Sequence, residues 1–161
     1  MSQPTRLTGA QETSLAIAAA VVTANAYYIH PIIAEVADYF GVSHSRIGLV
    51  PALNQIALAV GIFLLLPLGD RISNRRLTIT FAAGQTASIA LMAIAQGFTL
   101  FVIGSTMLGF FTIAPYLLPA YASKRVAPER LGQVTAKLAA GVILGILVAR
   151  VGAGVVAEYF G

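Results

Sequence analysis

The sequence predicts an all-α membrane protein with five transmembrane helices, at about residues 14–34, 47–66, 78–97, 100–121 and 134–153. Three observations predict it. The chain of 161 residues is 58% hydrophobic and only 10% charged, with a mean hydropathy of +0.84, which is more apolar surface than a soluble domain can hide. The apolar runs last roughly 20 residues, the length a helix needs to cross a bilayer. None of them shows the alternation over about 10 residues that marks a barrel strand.

The net charge of +4 does not point to nucleic acid, because the basic residues alternate with the apolar runs instead of forming one patch or stripe. They read as topology signals. The chain has no cysteine, which excludes a disulfide framework and a thiolate metal site.

Taken in order, the first span follows a leader holding Arg6 and Glu12. Ala24-Asn25-Ala26 imitates a signal-peptidase site, but the apolar run continues to Ala34 and the leader is not free of acid, so a retained helix is expected. Gly41 supplies a helix stop and Ser43 a helix start, which places a short turn before the second span. A charged connector, Asp70 to Arg76, separates the second and third spans. The fourth carries Pro115 and Pro119, able to break the helix near its inner end. The fifth carries Gly141, Gly145, Ala149 and Ala153 at a spacing of four, a smooth stripe on which another helix can pack closely.

Orientation follows from the lysines and arginines at the span ends. With the N-terminus inside, Arg6, Arg71, Arg75, Arg76, Lys124, Arg125, Arg130 and Lys137 are cytoplasmic, and the outer loops hold only Arg46.

The connector Pro67-Leu68-Gly69-Asp70-Arg71-Ile72-Ser73-Asn74-Arg75-Arg76 sets a carboxylate before an arginine cluster between spans two and three. It resembles the cytoplasmic loop motif of the major facilitator superfamily of secondary transporters. Asp70, Arg71, Arg75 and Arg76 match the motif; Leu66 stands where its opening Gly would be, Ser73 replaces its second Gly, and Asn74 a commonly basic position. Asn25-Ala26-Tyr27-Tyr28-Ile29-His30-Pro31, the link through Pro128-Glu129-Arg130-Leu131-Gly132, and Gly141 to Arg150 resemble spans one, four-to-five and five of bacterial twelve-span, drug/proton antiporter-like efflux members. Two features of those antiporters are missing: Ser105 stands where many carry an Arg, and span five lacks their Pro.

The resemblance implies that residues 1–161 form part of an N-terminal six-helix half, and that the whole protein exports small molecules by alternating access, with proton coupling as an option. It implies a bacterial inner-membrane location and a gating role for Asp70, Arg71, Arg75 and Arg76. A facilitator is built from two six-span halves around a shared site. The five spans are therefore expected to need the remainder of a transporter, or a pairing chain, beside the lipid bilayer and a small-molecule substrate. The alternative is a truncated non-transport membrane protein acting as a partner subunit or scaffold.

Polar groups inside lipid usually face the bundle interior. On that ground Asn25, Tyr28 and His30 of span one, Gln55 of span two, and Thr106, Phe110 and Tyr116 of span four are candidates for lining a substrate cavity. Asn54, beside Gln55, is expected to point about 100° away, so that one amide can face the cavity while the other holds helices together. A histidine is a residue type that can couple to protons, yet for His30 a structural role near the membrane surface is the commoner one. Arg150 either snorkels to the outer surface or pairs with Glu158 or Asp38. No His-Glu-x-x-His or Gly-x-Ser-x-Gly pattern is present, and an enzyme, a cofactor and a metal are not expected.

Overall fold

The computed structural model describes residues 7–160, apart from the side chains of Asp70, Asn74 and Phe160. Every regular element in it is helical. Helix α1 (Gly9–Tyr27) opens on a capping box: the Thr8 hydroxyl accepts from the Gln11 amide at 3.3 Å, and the Thr8 amide donates to Gln11 Oε1 at 2.9 Å. It ends sooner than the apolar run does. Pro31 lacks an amide hydrogen and disfavours a helical residue before it, so the chain passes through a turn before α2 (Ile33–Phe40).

Gly41 closes α2 in the left-handed region at φ 61°, where its amide donates to Asp38 and that of Val42 to Ala37. Ser43 then caps the short α3 (His44–Ile47) by accepting from the Arg46 amide. Helix α4 (Leu49–Leu65) follows, then a 3-10 turn (Leu66–Asp70) containing Pro67, and α5 (Asn74–Ala93).

The fourth expected span is two helices, α6 (Phe98–Phe111) and α7 (Ala114–Ser123). The break falls at Thr112 and Ile113, just before Pro115, and Pro119 is carried inside α7. Pro115 cannot donate into the helical ladder, and the chain tightens there: the Thr112 amide reaches Gly109, and its hydroxyl donates to the Leu108 carbonyl at 2.7 Å. Helix α8 (Pro128–Phe160) has 33 residues, about 50 Å of helix, against a hydrocarbon core of about 30 Å. It exceeds the expected 134–153 at both ends.

Among the described residues, three segments are long and apolar enough to cross a membrane: His44–Gly69, Phe98–Ser123 and Pro128–Tyr159. The expected spans at 14–34 and 78–97 fall on α1, which the Pro31 turn cuts short, and on α5, which opens on Arg75 and Arg76 and carries Thr, Gln and Ser. Each lies along another helix, α1 against α8 and α5 against α6. Their buried polar side chains, among them Thr23, Gln85 and Ser88, therefore face protein.

Two helix pairs organise the bundle, α1 with α8 and α4 with α6. Both rest on backbone-to-backbone contact. Gly141 and Gly145 of α8 lie against the carbonyls of Ala16 and Ala20, and Gly109 of α6 against that of Asn54, so close that no Cβ would fit. One apolar core sits around Ile29, Val50, Phe101 and Leu108 at the end expected to face outward. Two more lie at the opposite end, around Ala122, Val134 and Leu138 and around Leu77, Phe81, Ile113 and Leu117.

Candidate functional site

Among the described residues, three polar arrangements link helices inside or at the ends of this bundle. The first joins α4 to α6: buried Asn54 donates from Nδ2 to the Ser105 carbonyl at 2.8 Å, while Asn54 Oδ1 and Ser105 Oγ have no partner. Of the two neighbouring amides, Asn54 is the one that holds helices together. Gln55 is half-buried.

The second arrangement joins three elements. Gln85 of α5 donates from Nε2 to Thr112 Oγ1 at 2.8 Å and to the Val22 carbonyl of α1 at 3.3 Å. Thr112 sits in the α6–α7 break, so the bond ties the break to α5 and α1. Gln85 is not among the candidates read from the sequence, although, like Asn25 and Gln55, it is a polar side chain in an apolar run.

The third is an ion pair. Arg130, in the first turn of α8, donates from Nη2 to Glu12 Oε1, in the first turn of α1, at 2.9 Å. Glu12 is buried. In the sequence both residues stand only as charges flanking spans, because nothing there brings positions so far apart together.

The seven predicted cavity residues lie on α1, the turn after it, α4, α6 and α7. Asn25 and Gln55 are half-buried on α1 and α4. Tyr28 packs against the apolar core around Ile29 and Val50. His30 stacks on Tyr27, with ring centroids 5.4 Å apart, and its Nδ1 lies 3.2 Å from the Tyr27 carbonyl. The Thr106 hydroxyl donates to the Val102 carbonyl at 2.8 Å, and Phe110 meets Phe111 edge to face. Tyr116 is exposed on α7.

In the connector, the Asp70 side chain lies outside the described residues. Arg71, Arg75 and Arg76 are exposed, and the backbone leading to them is pinned by the Arg71 and Ile72 amides donating to the Leu68 carbonyl. Of the α8 stripe, Gly141 and Gly145 are buried, and Ala149 and Ala153 half-buried. Helix α1 covers both glycines, so that part of the stripe packs within the bundle. Arg150 is exposed.

The architecture is that of a multi-pass all-α membrane protein built on closely paired helices. The match to the Major Facilitator Superfamily runs over residues 15–161, and the chain belongs to that family, one of membrane transporters rather than enzymes. It is similar to the uncharacterized transporter YgaY of Escherichia coli O157:H7 and to its counterpart in Escherichia coli strain K12, each 29% identical over 120 residues. Those matches cover 74% of this chain and 30% of each relative, so the chain spans about a third of the length of the curated relatives it matches. No solved structure matches it.

Proposed function

We propose that this chain supplies part of one half of a secondary transporter that exports small molecules by alternating access, in the inner membrane of a bacterium with its N-terminus in the cytoplasm. The observation that carries the reading is the family match along nearly the whole chain. The paired helices agree with it. Alternating access is largely the rocking of one rigid bundle against another around a fixed site, and the glycine-to-carbonyl contacts of α1 with α8 and α4 with α6 make a body that moves as a unit.

In this reading Asn25, Gln55 and Tyr116 face the substrate, and Arg71, Arg75 and Arg76, with Asp70, form the cytoplasmic gate. The remainder of the transporter, or a pairing chain, completes the site.

The test expresses the full gene product in bacteria stripped of their own exporters and follows accumulation of a panel of fluorescent cations, anions and neutral compounds. Lower accumulation of at least one compound, restored to the control level by Asn25→Ala or Gln55→Ala, is the expected result. Unchanged accumulation across the panel, with the protein verified in the membrane, would sink export and favour the non-transport partner.

A further inference from the structure

At Thr112 and Ile113, between α6 and α7, the chain passes from one part of the bundle to another. Helix α6 packs on α4 and α5, whereas α7 packs on α8 and α1. The joint therefore sets the angle at which the α1–α8 pair stands to the α4–α6 pair. Each pair is held within itself by its glycines, Gly141 and Gly145 against Ala16 and Ala20, and Gly109 against Asn54, so a change of angle between them is concentrated where the helix is broken.

The hydrogen bonds at the joint run in one direction. A helical carbonyl ordinarily accepts from the amide four residues on, but the Thr112 amide donates to Gly109 at 3.1 Å, and the Leu108 carbonyl takes the Thr112 hydroxyl at 2.7 Å. A hydroxyl has one hydrogen; with that hydrogen committed to Leu108, Thr112 Oγ1 is left to accept. Gln85 Nε2 donates to it at 2.8 Å, and to the Val22 carbonyl of α1 at 3.3 Å. An amide nitrogen carries two hydrogens, so one side chain on α5 holds both the joint and α1. Gln85 is 3% exposed, Thr112 2% and Ile113 0%, and in surroundings this dry no water replaces a lost bond. Because this chain itself encloses them, whatever else packs around it leaves these contacts in place.

We propose that Gln85 is the positioning residue of the α6–α7 joint: its amide clamps Thr112 to Val22 and so holds the two helix pairs at one angle, and without the clamp the joint swings. Pro115 favours the swing, because it has no amide hydrogen to tie it back to Phe111 across the break. The angle is read as a distance, without any flux, so the proposal stands or falls apart from the export reading.

The test measures, in the full gene product in nanodiscs, the distance between spin labels on Ser73→Cys, just before α5, and Ser123→Cys, at the end of α7. Both serines are exposed, and the chain has no cysteine of its own. The clamped protein should give one narrow distribution. Gln85→Met, which keeps an unbranched side chain but donates nothing, should shift or broaden it by about 5 Å, the travel at the end of a helix about 15 Å long under a bend of about 20°. Thr112→Val, which removes the acceptor, should do the same and serves where Gln85→Met fails to fold; Thr112→Ser, which keeps the hydroxyl, should not. Asn54→Ala loses a bond of the same length that lies on one side of the joint, between α4 and α6, and should leave the distribution narrow. A broad distribution without any of these substitutions, a narrow one in Gln85→Met or Thr112→Val, or a broad one in Thr112→Ser overturns the proposal. So does an Asn54→Ala distribution as broad as that of Gln85→Met, which would make Gln85 one more stabilising bond.

Discussion

Glu12 and Arg130 lie 118 positions apart in the sequence, yet their side chains meet at 2.9 Å and join the first turn of α1 to the first turn of α8. The two ends of the pair differ: the Glu12 side chain is 6% exposed and that of Arg130 is 52% exposed. The pair sits where α1, α7 and α8 converge over Ala16, Ala122, Val134 and Leu138, and the Leu7 amide reaches the Arg125 carbonyl beside it. It therefore fixes the angle at which the closest helix pair of the bundle begins.

Removing Arg130 strands a buried carboxylate, whereas neutralising Glu12 removes the charge that needs a partner. Arg130→Met should destabilise the bundle by about 1–2 kcal/mol, discounted for the solvent around the guanidinium. Glu12→Gln should cost less, and the double variant Glu12→Gln, Arg130→Met should recover part of the Arg130→Met loss. Unfolding in mild detergent measures all three, and strictly additive losses would contradict a direct pairing.

Gly141 and Gly145 lie against the carbonyls of Ala16 and Ala20. Gly145→Leu should push α8 from α1 and cost about 1–3 kcal/mol, the usual penalty for overpacking. Gly154→Leu, on the same helix with nothing within 4 Å of where a Cβ would stand, should be tolerated. Thermal unfolding of the two variants compares them directly, and equal melting temperatures would remove the close-packing argument.

Asn54 and Gln55 should separate by role. Asn54→Ala loses the bond to the Ser105 carbonyl and should lower stability by about 0.6–2 kcal/mol, the range for polar contacts between membrane helices. Gln55→Ala should leave stability unchanged and reduce transport by the full gene product. Parallel measurement of melting and flux decides; a Gln55 variant that loses stability as much as the Asn54 variant would place Gln55 in packing.

The orientation has a direct readout. Ser43 and Ser73 are both exposed, at the α2–α3 turn and just before α5. A cysteine at Ser43 should react with a membrane-impermeant maleimide added to intact cells, and one at Ser73 only after the membrane is opened. The reverse pattern would overturn the arrangement drawn from the lysines and arginines.

Local chemistry was legible. Gly41 stops a helix because only a residue without Cβ takes φ 61° readily, and Ser43 starts the next because its hydroxyl reaches a free amide. Both act within four residues, so neighbours in sequence suffice to fix them. Pro115 was legible as a helix breaker, and the α6–α7 break falls just before it; Pro31 was not, since the first span was expected to run on to Ala34. A proline's effect depends on which carbonyls lose their donor, and on whether a side chain such as Thr112 is placed to compensate.

The sequence by itself determined that the chain is an all-α membrane protein, and its charged connector pointed to the family, because hydropathy, run length and charge distribution act along the chain. The tertiary structure alone decided which faces meet: that the Gly141 stripe serves α1, that Asn54 rather than Gln55 joins α4 to α6, and that Glu12 finds Arg130. The physical reason is the solvent. In a soluble helix the apolar stripe marks the buried face, but in a bilayer the lipid-facing and protein-facing sides are both apolar. Which side packs is then set by small residues and single polar bonds, whose partners lie far away in sequence.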